Sequence, residues 1–227
     1  NVVWSEDDSY LLFTSFVEKT EDKLIKMPKK PKGAKWNEPP VEIDDMVYRY
    51  DGGGYRRPGS TQVFILSVEG GTSRQISDLD KNISSLVWMG KDKVLFSANL
   101  SENSDFEPNN SDIYSMDILK GKITKLTSRF GPDYSPKVSP DKKMIAYLGY
   151  DDRFLGYQQN SLYVMDADGG NVKLVSEGFD RNISNINWKE DGKGLYFQYD
   201  TEGMTKIAYI STSGKVKDIV DELGGLS

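Results

Sequence analysis

Short apolar runs recur along the chain, each bounded by Gly, Asp, Asn or Pro. One set reads Tyr10-Leu-Leu-Phe13, Val94-Leu-Phe96, Met144-Ile-Ala-Tyr147 and Leu195-Tyr-Phe197. A second reads Val63–Leu66, Ile113–Met116, Leu162–Met165 and Ile207–Ile210, and a third Ser73–Ile76, Ile123–Leu126, Val172–Val175 and Val216–Ile219. The runs are rich in β-branched and aromatic residues, which suit a pleated, half-buried surface. No window of ten or more residues holds a 3.6-residue apolar period, so no helix is predicted.

A tryptophan-bearing run precedes each group of three. It contains Val3-Trp4-Ser5-Glu6-Asp7, Val87-Trp88, Val138-Ser139-Pro140-Asp141 and Asn187-Trp188, with Val138 in the Trp place of the third copy. The marker positions 88, 138 and 188 are 50 residues apart, whereas the first interval, 4 to 88, is longer by 34. Four short strands every ~50 residues mark a β-propeller, whose blades bury their faces by stacking on one another. A β-sandwich predicts no such fixed period. The expected architecture is all-β, with four four-stranded antiparallel blades. The units are about 1–77 (with an inserted loop at 18–62), 78–127, 128–177 and 178–221.

Several motifs that resemble binding sites fall into this repeat. Asp166-Ala-Asp168-Gly169-Gly170 sits where the third strand turns into the fourth, as do Glu69-Gly70-Gly71 and Ser213-Gly214, so a hairpin turn accounts for it. Asp78-Leu-Asp80-Lys-Asn82 has Ile83 where a calcium loop wants Gly, and no Glu closes it. Asp51-Gly-Gly-Gly-Tyr55 opens no predicted helix, as a phosphate cradle would. No metal site and no cofactor site is therefore assigned.

Composition narrows the function classes. The 29 Lys and Arg against 35 Asp and Glu give a net charge of −6, which disfavours nucleic acid or an anionic membrane as partner. The one basic cluster, Lys26 to Lys35, is broken by Pro and Gly and reads as a solvated loop. No apolar stretch reaches the ~18 residues of a membrane span, so a soluble chain is expected. The absence of cysteine leaves its compartment open between cytoplasm and periplasm. The chain opens inside a motif, as a trimmed segment would. It has no histidine, so a Ser-His-Asp triad has no base here.

Length variation concentrates in the connections between second and third strands, which emerge with the blade-to-blade turns on one face of a propeller. Variable loops mark the face that carries function. Glu102, Asp105, Phe106, Glu107, Tyr150 to Phe154 and Tyr157 lie there, with Lys81, Arg129, Phe130 and Arg181 from the blade-to-blade turns. Aromatics mixed with both charges suit a protein or peptide partner.

The inserted segment is more specific. Trp36, Pro39, Pro40, Ile43, Asp44, Tyr48, Arg49, Asp51, Gly52, Gly54 and Tyr55 match an early-blade segment of acylaminoacyl peptidases. The chain thus resembles the propeller of the prolyl oligopeptidase family of serine peptidases. That resemblance implies an open arc cut from a seven- or eight-bladed ring, capping an α/β-hydrolase domain absent from this chain. In that family the hydrolase domain supplies the catalytic residues, and the propeller gates and orients peptide substrates. The chain has no adjacent Glu pair of the kind the dipeptidyl branch uses. The face expected to meet the hydrolase domain or substrate carries Tyr48, Arg49, Asp51, Tyr55, Arg57, Arg129, Arg153, Phe154 and Arg181. Open end blades also imply self-association. The competing readings are a stand-alone protein-binding propeller of the Tol type and an enzyme with a polar channel site.

Overall fold

The computed structural model describes residues 2–19, 28–37, 43 and 45–220. Those residues hold eighteen strands and no helix. The first blade is β1 (Val2–Trp4), β2 (Tyr10–Glu18), β5 (Gly59–Ser67) and β6 (Arg74–Gln75), with a small hairpin, β3 (Arg49–Tyr50) and β4 (Gly54–Tyr55), inserted between β2 and β5. The second is β7 (Ser84–Trp88), β8 (Lys93–Ala98), β9 (Asp112–Asp117) and β10 (Ile123–Lys125). The third is β11 (Asp133–Val138), β12 (Met144–Gly149), β13 (Ser161–Asp166) and β14 (Lys173–Leu174). The fourth is β15 (Ser184–Trp188), β16 (Gly194–Thr201), β17 (Met204–Ser211) and β18 (Val216–Val220). Each sheet is a four-stranded antiparallel meander, and the four form an open arc.

Two boundaries differ from the sequence reading. β2 runs to Glu18 and β5 starts at Gly59, paired end to end, so the insertion spans 19–58 rather than 18–62. Ser60 and Gln62 are polar yet buried, which conceals the strand from an apolar pattern. In the fourth blade β16 and β17 pair up to Thr201 and Met204. The strands thus extend beyond the apolar runs Leu195–Phe197 and Ile207–Ile210, and a tight turn at Glu202-Gly203 joins them.

Three details repeat in register. The first strands of the second, third and fourth blades carry a bulge, each with a non-glycine residue at positive φ: Ser85, Ser135 and Asn185, 50 residues apart. A hydroxyl from the fourth-strand end accepts the backbone N–H of the third strand in three blades. The pairs are Ser77 with Val63 (2.8 Å), Thr127 with Ile113 (3.0 Å) and Ser176 with Leu162 (2.9 Å). Finally, the indole N–H of Trp88 donates to the carbonyl of Val3 (3.3 Å), and that of Trp188 to the carbonyl of Lys137 (2.9 Å). Each indole thus fastens its blade to the inner strand of the preceding one.

The core is the set of inter-blade interfaces. Leu12, Val63 and Ile65 of the first blade pack on Val94, Phe96, Tyr114 and Met116 of the second. Leu95 and Ile113 of the second pack on Ile145, Tyr147 and Met165 of the third. Ala146, Leu148, Leu162 and Val164 of the third pack on Leu195, Phe197, Ala208 and Ile210 of the fourth. Alternate residues of every strand therefore serve opposite neighbours, as a period of two requires. On the side away from the long loops, Glu6 and Lys142 form an ion pair that reaches from the first blade to the third.

Candidate partner-binding face

The junction of the second and third blades lacks an indole clasp, because Val138, in the Trp place, has no side-chain N–H to donate. A buried ion pair lies there instead. Arg129, in the turn between β10 and β11, pairs with Asp133 at the start of β11, and also with Asp151 at 3.2 Å. Its guanidinium lies 4.4 Å from the ring centre of Tyr163. The Asp133 side chain is fully buried. Among the described residues, Arg129 Nε and Asp133 Oδ2 have no hydrogen-bond partner. Burial pushes the Asp133 carboxyl up to about 6, although Arg129 pulls the other way. Gly149 makes room for the pair, since a Cβ there would strike the Arg129 guanidinium, the Pro132 carbonyl and Asp133.

The position of Asp133 is unusual within the repeat. Its backbone N–H donates to Ser111, as that of Ile83 donates to Thr61 and that of Ile183 to Asn160. Ile83 and Ile183 are buried in the core. A carboxylate thus replaces a core isoleucine at one junction of three. Taking such a charge out of water costs several kcal/mol that its ion pair only partly returns. The substitution is legible in the sequence at the 50-residue spacing 83, 133, 183 once the repeat is aligned.

Above this pair the loop between β12 and β13 projects outward. Asp152 Oδ1 accepts from the Phe154 N–H (2.8 Å) and from Gln158 Nε2 (2.7 Å), while Gln158 Oε1 accepts from the Arg153 N–H (2.6 Å). The Gln158 amide and then the Phe154 N–H lower the Asp152 pKa, so the clamp is anionic near neutrality. Phe154 sits at φ 56°, a conformation uncommon for a bulky residue. The loop holds Phe154, Leu155 and Tyr157 out in solvent at 77%, 61% and 70% exposure. Phe130 lies beside Phe154, with ring centres 5.6 Å apart. Arg153 forms no ion pair among the described residues. Exposed aromatic and apolar side chains grouped around a free cation fit a partner surface.

The other expected residues fall in separate places. Tyr48 and Tyr55 face each other across the inserted hairpin at 6.3 Å. Arg49 and Asp51 are 3.9 Å apart and exposed, a geometry that contributes little to stability. Arg57 lies over the Phe16 ring at 5.6 Å. Together with Tyr50, Arg56, Thr61 and Asn82 these two line a shallow cleft against the first blade. Arg181 bonds to Thr201 and Asp180 on the turn into the fourth blade. Pro39, Pro40 and Asp44 lie outside the described residues. Phe16, Tyr50, Arg56, Asp133 and Leu155 join the candidate face only through the fold. Among the described residues no cluster of three or more carboxylates could hold a metal, and no helix is long and apolar enough to cross a membrane.

No family model matches the chain. It is 34% identical over 114 residues to dipeptidyl-peptidase 5 of Porphyromonas gingivalis, which covers 48% of this chain and 16% of that protein. An uncharacterized peptidase of Bacillus subtilis, YuxL, is 25% identical over 96% of the chain and 35% of its own length. Among solved structures, acylaminoacyl peptidase of Pyrococcus horikoshii superposes with a TM-score of 0.69 at 19% identity, covering 97% of this chain and 32% of that one. TolB of Acinetobacter baumannii gives 0.61 at 16% identity, covering 96% and 42%. The chain resembles the propellers of prolyl oligopeptidase family peptidases. It spans about a third or less of the length of the peptidases it matches. One relative carries a dipeptidyl-peptidase name, so the missing Glu pair does not by itself set this chain apart from proteins so named.

Proposed function

We propose that this propeller is the non-catalytic part of a serine peptidase and that its loop face receives peptide substrate beside a separate hydrolase domain. The observation that supports the reading is the Arg129–Asp133 pair. A buried charge occupies a core isoleucine place directly beneath the one loop that exposes Phe154, Leu155 and Tyr157. A position used only for packing favours the isoleucine of the other junctions; a carboxylate there fixes Arg129, and through Asp151 the base of the loop. Arg153 and Phe154 then offer a cation and an apolar ring to an extended peptide. Tyr48, Arg49, Asp51, Tyr55, Arg57 and Arg181 contribute to the wider face that meets the hydrolase domain.

The test is direct binding. Fluorescently labelled N-acetyl peptides with apolar side chains are titrated with the purified chain, and polarisation is read. Arg153→Ala with Phe154→Ser is expected to weaken binding at least about tenfold, or about 1.4 kcal/mol, with the melting temperature unchanged. Equal affinity in wild type and variant rejects the face. Capture of a folded protein on the same face, with no peptide bound, would move the assignment to a Tol-type binding module.

A further inference from the structure

The shallow cleft beside the inserted hairpin lies at the turn from the first blade into the second. Phe16 and Thr61 are a cross-strand pair of β2 and β5. Phe16 stands four residues beyond Leu12, which packs on the second blade, so the period of two turns both side chains toward that junction. Asn82, in the turn that leads to β7, belongs to the same side: its Oδ1 accepts the Thr61 N–H at 2.8 Å. Tyr50, Arg56 and Arg57 of the inserted segment complete the lining. Gly59 sits at φ 136°, and a Cβ there would strike the Val17 carbonyl and the Phe16 ring. Glycine thus lets the ring lie against the strand, with the Arg57 guanidinium over it at 5.6 Å.

The cleft is rich in donors. Arg57 forms no ion pair among the described residues, so its fork of N–H groups is unengaged. Arg56 is partly engaged, since it donates to the Val47 carbonyl at 2.8 Å and lies 3.7 Å from Asp45. The bond from Thr61 fixes the orientation of the Asn82 amide and leaves its Nδ2 as a donor. No carboxylate lines the cleft among the described residues. A guanidinium over an aromatic ring, beside an amide donor, suits a carboxylate, which accepts two parallel bonds from one arginine. Tyr50, 57% exposed, adds apolar surface next to it. The cleft measures about 270 Å³, less than the ~300 Å³ at which sites for whole small molecules begin, so it fits one residue of a longer chain. The net charge of −6 disfavours an extended polyanion as that chain.

We infer that this cleft is a carboxylate subsite for a bound peptide. Arg57 pairs with a carboxylate of the peptide, Asn82 Nδ2 donates to the same group, and Tyr50 packs on the adjoining residue. The inference rests on the reading that the loop face receives peptide, and adds an anchoring point separate from Arg153 and Phe154. A free C-terminus and an acidic side chain present the same chemistry to Arg57, and the test separates them.

Fluorescence polarisation on the purified chain provides it, with three labelled N-acetyl peptides of one apolar sequence. The first ends in a free carboxylate, the second in an amide, and the third in an amide with one internal Glu. The plain amide is expected to bind about tenfold more weakly than the better of the other two, the size of one charge-assisted hydrogen bond. Tighter binding of the first peptide assigns the cleft to peptide ends, and of the third to acidic side chains. Arg57→Gln, on an exposed side chain, should remove the preference, so that all three peptides bind alike, with the melting temperature of the wild type. Arg153→Ala with Phe154→Ser should weaken all three and keep the preference. Equal affinities for the wild-type chain, or a preference that survives Arg57→Gln, overturn the carboxylate subsite even where the loop variant weakens binding. A preference that Arg57→Gln removes, together with an ineffective loop variant, upholds the subsite and rejects the loop. Binding of none of the three peptides overturns both.

Discussion

Asp133 and Ile183 occupy one and the same place in successive blades. Each donates its backbone N–H to the residue that precedes the third strand of the blade before it, at 2.8 Å from Ser111 and 3.3 Å from Asn160. One side chain is a carboxylate and the other an aliphatic core residue, so the two junctions are built on opposite chemistry over an identical backbone.

Removing one partner of the buried pair should cost far more than removing both. Asp133→Ala leaves Arg129 with the exposed Asp151 as its remaining carboxylate among the described residues, and is expected to lower stability by about 3 kcal/mol, the low end for a broken buried pair. Arg129→Met combined with Asp133→Ile, which restores the repeat residue, should be neutral or stabilising by about 1–4 kcal/mol. Urea denaturation of both variants checks this. A double variant as unstable as the single one would mean that the pair is needed for packing.

The pH dependence follows from the same carboxyl. Its folded pKa is raised from 3.8 to about 6 by burial, so between those values the native state holds a proton that the unfolded chain has lost. Stability from this group therefore rises as pH falls through about 6 and levels off below the unfolded value. Asp141 and Asp191, whose pKa values are lowered, act oppositely at more acid pH. The difference in unfolding free energy between wild type and the double variant should shift in favour of wild type from pH 7 to pH 4.5. A pH-independent difference would assign Asp133 an ordinary pKa.

Trp188→Phe keeps an aromatic ring between the third and fourth blades but removes the donor to the Lys137 carbonyl. A loss of about 0.5–1.5 kcal/mol is expected, the net worth of one neutral hydrogen bond. The measurement is the urea midpoint at constant slope. A loss of several kcal/mol would show that the indole acts chiefly by filling space.

Gly149→Ala should be among the most damaging single substitutions. The added methyl meets the Pro132 carbonyl and the Arg129–Asp133 pair, so either β11 separates from β12 or the ion pair breaks. A fall of more than about 3 kcal/mol is expected, from overpacking and an unpaired buried charge together. A near-neutral result would mean that the Arg129 side chain leaves the site readily.

The chain alone should hydrolyse neither acyl-peptide nor aminoacyl substrates. Serine attack needs a base near neutral pKa within hydrogen-bond reach, and imidazole is absent from the sequence. Incubation with chromogenic substrates, with and without a fluorophosphonate probe, reads this out. Turnover that scales with protein and is blocked by the probe would reveal a nucleophile outside the triad scheme.

The sequence by itself determined the architecture. A 50-residue recurrence of Trp or Val followed by three short apolar runs specifies four-stranded blades, because each sheet buries its faces only against another of its kind. The sequence also carried the Ile83, Asp133, Ile183 spacing, which needs only the repeat alignment to be seen. Tertiary structure alone decided three things. It put Asp151 and Asp133 on either side of Arg129, a pairing of residues from different connections that no periodicity encodes. It extended β5 back through Ser60 and Gln62, whose polar side chains are buried because Leu79 and Ser77 supply their hydrogen bonds. And it left Trp4 in solvent while Trp88 and Trp188 found carbonyls. The same residue in the same place of the repeat differs there for one physical reason: burial of a blade face depends on whether a neighbouring blade stands against it.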